Sequence, residues 1–225
     1  MTRAGIPTKS FVIGIAGGTS AGKTTVARTV SSRLHDAPVI DLDSYYLDRR
    51  TLPVEERERL NYDHPTAFDL RLIVSHLRRL AAGHAVEKPE YCFRTHTRRG
   101  RRLIAPAPFI VVEGLFALWW RQLRSLLDLK IFVDAPADVR LARRIRRDVA
   151  DRGRTLDSVL AQYLETVRPM HDRYLEPCRR HADVVVSNEG SSPSLEDLFR
   201  ALPQVVDPWP RRRLLASQSR RRNST

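Results

Sequence analysis

The stretch Phe11 to Thr25, FVIGIAGGTSAGKTT, limits this chain more than any other. Its first six residues are apolar or small, a pattern for a short buried strand, and Gly22-Lys23-Thr24-Thr25 opens a segment with helical periodicity. Gly17, four residues, then Gly22-Lys23-Thr24 is the spacing of a phosphate-binding loop. Glycines at these places let backbone N–H groups approach an anion with no Cβ in the way. The helix that follows turns its partial positive end towards the same anion. Gly17, Gly18, Thr19, Ser20, Ala21, Gly22, Lys23, Thr24 and Thr25 are therefore the expected nucleotide cradle. Lys23 supplies a point charge for β- and γ-phosphates, and the Thr24 hydroxyl suits Mg²⁺. The loop implies a nucleoside triphosphate without saying what is done with it.

A chain of 225 residues can bury one sizeable core. The net charge of +13 is uneven, because residues 211–225 hold six arginines and no acid. A basic body suits polyanions such as nucleotides and permits nonspecific nucleic-acid contact. Cys92 and Cys178 lie far apart with no metal-type spacing and read as reduced thiols of a cytoplasmic protein. The longest apolar run, Phe109 to Trp120, is interrupted by Glu113 and falls short of a membrane span.

Five short apolar runs begin near Phe11, Pro38, Phe109, Lys130 and Asp183, separated mostly by helical patterns. They predict a parallel five-stranded α/β sheet of the P-loop NTPase type, with helices on both faces. Asp69 should cap a helix running to about Ala82, closed by Gly83. Residues 85–105 read as a β-hairpin flap turning near Gly100. Residues 138–150 form a basic helix that breaks at Asp151-Arg152-Gly153-Arg154, so about 138–160 reads as a lid. A long helix from about Leu156 towards His181 carries Pro169 and Pro177. The expected organisation is a loose lead-in over 1–9, one catalytic domain over 10–202, and a basic disordered tail over 203–225.

Ligands of such sheets bind at the carboxyl ends of the strands, where Asp43 and Glu113 fall. Asp43 follows a strand end and is placed to take a proton from an acceptor hydroxyl; Asp41 is its rival. Glu113 ends a strand too apolar to tolerate a lone carboxylate, so Mg²⁺ or an arginine should meet it. The arginines over 140–154 are either a solvated helix face or a closing clamp that excludes water. Asp63 suits a sugar diol or ordinary turn chemistry. Tyr91, Phe93 and His96 suit a stacked base, or else a core aromatic pair and a surface histidine.

Over about residues 10–188 the chain resembles the uridine kinase (uridine/cytidine kinase) family of P-loop kinases. The resemblance is carried by GGTSAGKTT, DSYY at 43–46, NYDHPTAFD at 61–69, YCFRTHTR at 91–98, VVEG at 111–114, and IFVDAPADVRLARRIRRDVADRGR with the AQY that follows. It implies transfer of the γ-phosphate of ATP or GTP to the 5′-hydroxyl of uridine or cytidine, in pyrimidine salvage. It further implies Asp43 as base and Mg²⁺ contact, Glu113 as another Mg²⁺ contact, and Asp63 and Arg144 on the ribose. Tyr91, Phe93, His96, Arg154 and Gln162 would hold the pyrimidine, while Arg147 and Arg152 would join Lys23 in meeting the phosphates. Similar enzymes are often tetramers, so the resemblance implies a homo-oligomer, tetramer or dimer. Cys92, Glu90 and Arg94 depart from the family pattern beside the base pocket, as do Trp119-Trp120 and the arginine tail elsewhere. Two other readings compete: a kinase of another small acceptor, phosphoribulokinase-like or pantothenate-kinase-like, and a nucleic-acid-binding NTPase. No specific nucleic acid is expected, since the arginines gather at the lid and in the tail.

Overall fold

The computed structural model describes residues 9–189 and 193–206. Of the disordered tail expected over 203–225, residues 203–206 instead continue the last helix; the rest of it, and all but the last residue of the lead-in, lie outside that range. In chain order the elements begin with β1 (Phe11–Gly17), α1 (Lys23–Arg33), β2 (Val39–Asp41), α2 (Val54–Glu58) and α3 (Leu70–Ala81). The hairpin strands β3 (Val86–Cys92) and β4 (Thr97–Ile104) follow, then β5 (Phe109–Glu113), α4 (Arg121–Arg124), β6 (Leu129–Asp134) and α5 (Ala137–Ala150). After α6 (Leu156–Gln162) come α7 (Arg168–Met170), β7 (Val184–Ser187) and α8 (Pro193–Val206).

Five strands form one parallel sheet in the order β2-β5-β1-β6-β7, as the five apolar runs predict. All seven residues of β1 are buried, because the strand is central and covered on both faces. Its side chains alternate between two cores. Val12 and Ala16 join Ile40, Val112, Phe116 and Phe132 beneath α3 and the hairpin, while Ile13 and Ile15 join Val26, Val30, Ile131 and Leu202 beneath α1 and α8. Each fully buried aliphatic chain contributes about 1.5–3 kcal/mol. None of the described helices is long and apolar enough to cross a membrane.

Helix α3 starts where expected, with Asp69 Oδ1 accepting from the Leu72 N–H at 3.1 Å, and Gly83 follows its end at φ 84°. The helical course from α6 to His181 is unbroken but irregular. Two π-helical turns (Tyr163–Val167 and His171–Leu175) flank α7, and a 3₁₀ segment (Glu176–His181) ends it. Such adjustments accommodate Pro169 and Pro177 without ending the helix. Trp120 packs edge-on to Phe68 at 5.8 Å, and Trp119 meets Tyr174 at 5.0 Å, so both indoles rest on the core. Both cysteines are free; burial pushes the Cys178 thiol up to about 12.

The expected hairpin turn is also displaced. The hairpin turns at 93–96, where the Thr95 N–H donates to the Cys92 carbonyl at 3.3 Å and His96 adopts φ 52°. Gly100 instead lies within β4 opposite Glu90, where the register shifts. A glycine in a strand marks a bulge as readily as a turn, and here the bulge is what formed.

Candidate functional site

The phosphate-binding loop leaves β1 at Gly17 and enters α1 at Lys23. Gly22 adopts φ 96°, and a Cβ there would stand 2.0 Å from Asn188 Nδ2. That amide holds the loop by donating to the Ala21 carbonyl at 2.7 Å. Neither property of position 22 admits a side chain. Lys23 Nζ donates to the Gly18 carbonyl at 2.8 Å, so the ammonium already curls over the loop.

Strand order brings the acids in. β5 lies beside β1 and β2 beside β5, so Asp41 registers with Glu113 and Asp43 follows just past the strand end. Thr24 Oγ1 donates to Glu113 Oε1 at 3.0 Å. The rival acids part company. Asp41 caps the 3₁₀ turn Leu42–Tyr45, accepting from the Ser44 N–H at 2.9 Å, and pairs with Lys88 Nζ of β3 at 2.6 Å. Lys88 is itself buried and donates to Ser44 Oγ at 2.5 Å. Asp41 is thus occupied with structure, and Asp43 faces the open volume.

That volume is a cavity of about 1030 Å³. Thr19, Ser20, Gly22, Lys23, Thr24, Asp43, Asp63 and Glu113 line it. So do Tyr91, Phe93, His96, Arg144, Arg147, Arg152, Arg154 and Gln162. Gly17, Gly18, Ala21 and Thr25 belong to the loop without facing the cavity. Burial raises the pKa of the Asp43 and Glu113 carboxyls, with Lys23 acting against the rise in each. Burial lowers that of Lys23, opposed first by Glu113 and then by Asp43. Burial also raises Asp63, against the pull of the Arg144 guanidinium. A crowded cluster of acids around one lysine is an environment that a polyvalent cation and phosphates complete.

The oxygen donors present fit Mg²⁺. Thr24, Glu113 and Asp43 are hard ligands, and among the described residues no group of three or more His, Cys, Asp or Glu side chains is arranged to hold a metal. A partial set of this kind suits an ion that keeps waters and takes substrate phosphates as ligands.

The arginines of α5 divide by face. Arg146 is exposed, whereas Arg140 and Arg144 are buried. Arg144 donates to Thr19 Oγ1 at 3.0 Å and to Gln162 Oε1 at 2.8 Å. Sequence reasoning missed the residue that gathers them. Asp148, fully buried, receives Arg147 Nε at 2.8 Å, Arg152 Nη1 at 3.3 Å, Arg144 Nε at 3.5 Å and Arg154 Nη1 at 3.8 Å. Arg152 also lies over the Phe93 ring, 5.2 Å from its centre. The clamp therefore already reaches the hairpin.

Two tyrosines were likewise missed. Tyr62 stacks on His96 at 4.5 Å and 16°, and Tyr46 meets Tyr62 edge-on at 5.3 Å and Tyr91 at 5.2 Å. Both line the cavity, as does Arg94, whereas Cys92 and Glu90 do not. His96 Nδ1 is buried with no hydrogen-bond partner among the described residues, an atom suited to a polar ligand. The chemistry available is phosphoryl transfer to a small acceptor seated between the loop and this aromatic wall.

Comparison with known proteins agrees with that geometry. The family model described as the phosphoribulokinase/uridine kinase family matches residues 12–192. The uridine kinase of Halobacterium salinarum is 45% identical over 205 residues, covering 89% of this chain and 91% of that protein. The uridine kinase of Clostridium tetani is 45% identical over 194 residues, covering 85% and 93%. Among solved structures, a possible uridine kinase from Bacillus stearothermophilus superposes with a TM-score of 0.57 at 22% identity, over 81% of this chain and 91% of that one. That last likeness speaks to the fold.

Proposed function

Because the chain belongs to the phosphoribulokinase/uridine kinase family, we propose that it is a pyrimidine ribonucleoside kinase. It moves the γ-phosphate of ATP or GTP to the 5′-hydroxyl of uridine or cytidine, a cytoplasmic step that returns nucleosides to the nucleotide pool. The observation that carries this reading is that Lys23, Asp43, Asp63 and the hairpin aromatics all line one cavity.

Each side chain then has a task. The loop N–H groups and Lys23 hold the β- and γ-phosphates. Asp43 accepts the proton of the 5′-hydroxyl as the oxygen attacks phosphorus, a role worth about 10²–10⁴-fold. Asp63 and Arg144 orient the ribose, and Tyr91, Phe93, His96, Arg154 and Gln162 hold the pyrimidine. Tyr46 and Tyr62 back that wall. Arg147 and Arg152 neutralise charge on the transferring group and exclude water. Thr24, Asp43 and Glu113 would hold Mg²⁺, which would supply neutralisation of phosphate charge when bound.

Purified protein with Mg-ATP is expected to convert uridine to UMP or cytidine to CMP, read by chromatography of the nucleotide products. Absence of both products overturns the reading. An ADP-release screen that responds to ribulose 5-phosphate or pantothenate, and not to nucleosides, would install the nearest rival; the base-sized aromatic wall argues against it. Hydrolysis stimulated by RNA and not by uridine would favour a nucleic-acid-binding NTPase.

Asp63 gives a pH signature. Its ionised form accepts from a diol, and burial raises its pKa above 3.8. Affinity for uridine is therefore expected to be full at neutral pH and to fall as acidification protonates Asp63, with a midpoint above the ordinary value. Asp63→Asn should bind roughly ten- to a hundredfold more weakly and lose that dependence, since one charge-assisted hydrogen bond is worth about 1.5–3 kcal/mol. Calorimetric titrations across pH decide it: parallel profiles for both proteins would remove Asp63 from the ribose.

A further inference from the structure

A second cavity, of about 760 Å³, lies outside the described site, between α3, the outer face of the hairpin and residues 48–50. Arg50, Arg79, Arg98, Arg99 and Arg101 enter it from all three elements, against two acids, Asp48 and Glu87. Those acids are already engaged: Asp48 pairs with Arg50 at 2.6 Å and Glu87 with Arg101 at 3.1 Å. Arg98 approaches Asp69 at 3.4 Å. Arg79 and Arg99 are left with no ion-pair partner among the described residues. His76 lines the same wall, and its pKa is lowered by burial and then by Arg79 and Arg98, as a ring under positive potential requires.

We propose that this cavity binds a small oligophosphate, a metabolite carrying two or three linked phosphate groups. Guanidinium groups recognise phosphate oxygens in paired hydrogen bonds, and several converging on one concavity favour a compact polyanion over an extended one. The volume lies within the usual range for small-ligand sites. A nucleic acid would call for arginines spread along a strip, and these surround a hollow.

The cavity also has a route to the active site. Arg98 Nε donates to the Tyr46 carbonyl at 3.0 Å, and its Nη2 to the Tyr45 carbonyl at 3.3 Å. Tyr45 Oη shares a hydrogen bond with His76 Nδ1 at 3.0 Å. These two tyrosines lie two and three residues after Asp43, so an oligophosphate competing for Arg98 acts on the turn that carries the proposed base. The binding claim stands without the proposed reaction, and its test involves no turnover.

The test uses sodium tripolyphosphate titrated calorimetrically, in metal-free buffer at near-physiological salt, into full-length protein saturated with ADP. ADP keeps the probe off the phosphate-binding loop. One site is expected, weakened about tenfold or more in the double variant R79S/R99S, whose ADP affinity stays unchanged. Hydrogen exchange at residues 42–47 should shift on adding the probe to the unaltered protein and not to the variant. Absence of binding overturns the proposal, as does equal binding by both proteins or unaltered exchange at 42–47. Binding of a short RNA without binding of tripolyphosphate would assign the surface to nucleic acid instead.

Discussion

Asp43→Asn is expected to lower kcat for nucleoside phosphorylation by roughly 10²–10⁴-fold while leaving ATP affinity within a few-fold. Asparagine preserves the shape of the turn and cannot accept the proton. The nucleotide is gripped mainly by the loop and by Lys23, whose ammonium already bridges back to Gly18 at 2.8 Å. Pre-steady-state turnover with calorimetric ATP binding separates the two quantities. Asp41→Asn is the matched contrast. It removes the partner of buried Lys88, at 2.6 Å, and so should show itself first in stability. Undiminished kcat in Asp43→Asn would show that some other group takes the proton.

Asp148→Ala is expected to destabilise the protein by about 3–5 kcal/mol, because removing one partner of a buried pair strands the other. Arg144, 5% exposed, loses its anionic neighbour at 3.5 Å. For a domain of this size the thermal midpoint should fall by roughly 6–20 °C. Below that midpoint the nucleoside KM should rise and kcat should fall together, since Arg144, Arg147, Arg152 and Arg154 lose their common anchor. Glu165→Gln, an exposed acid on the helical course that begins with α6, should stay within about 0.5 kcal/mol of the parent. Calorimetric melting and steady-state kinetics check both. An Asp148→Ala protein with unchanged melting and KM would mean that the guanidinium groups hold their places unaided.

Sheet and cradle were legible because local pattern and tertiary role coincide there. The run from Phe11 to Ala16 is apolar since both its faces are covered, and the Asp69 cap acts within its own turn. The hairpin turn was not legible. Residues 93–96 contain no glycine or asparagine, and His96 is stacked on Tyr62, a partner far off in sequence. Asp148 was hidden for a related reason. On an arginine-rich helix an acid four residues from Arg144 reads as a surface pair, and only the return of Arg152 and Arg154 beneath the helix end makes it a hub. Two spacings of four, to Arg144 and to Arg152, were the one available hint. Tyr46 and Tyr62 sat within recognised motifs, yet nothing local told which of the aromatics face the ligand.

The bond between Asp41 and buried Lys88 ties the turn bearing Asp43 to the first hairpin strand. On the proposed reading, base selection by the hairpin and placement of the proton acceptor are thereby mechanically joined. Substitutions that reshape the first hairpin strand around Lys88 are expected to alter substrate choice and turnover together.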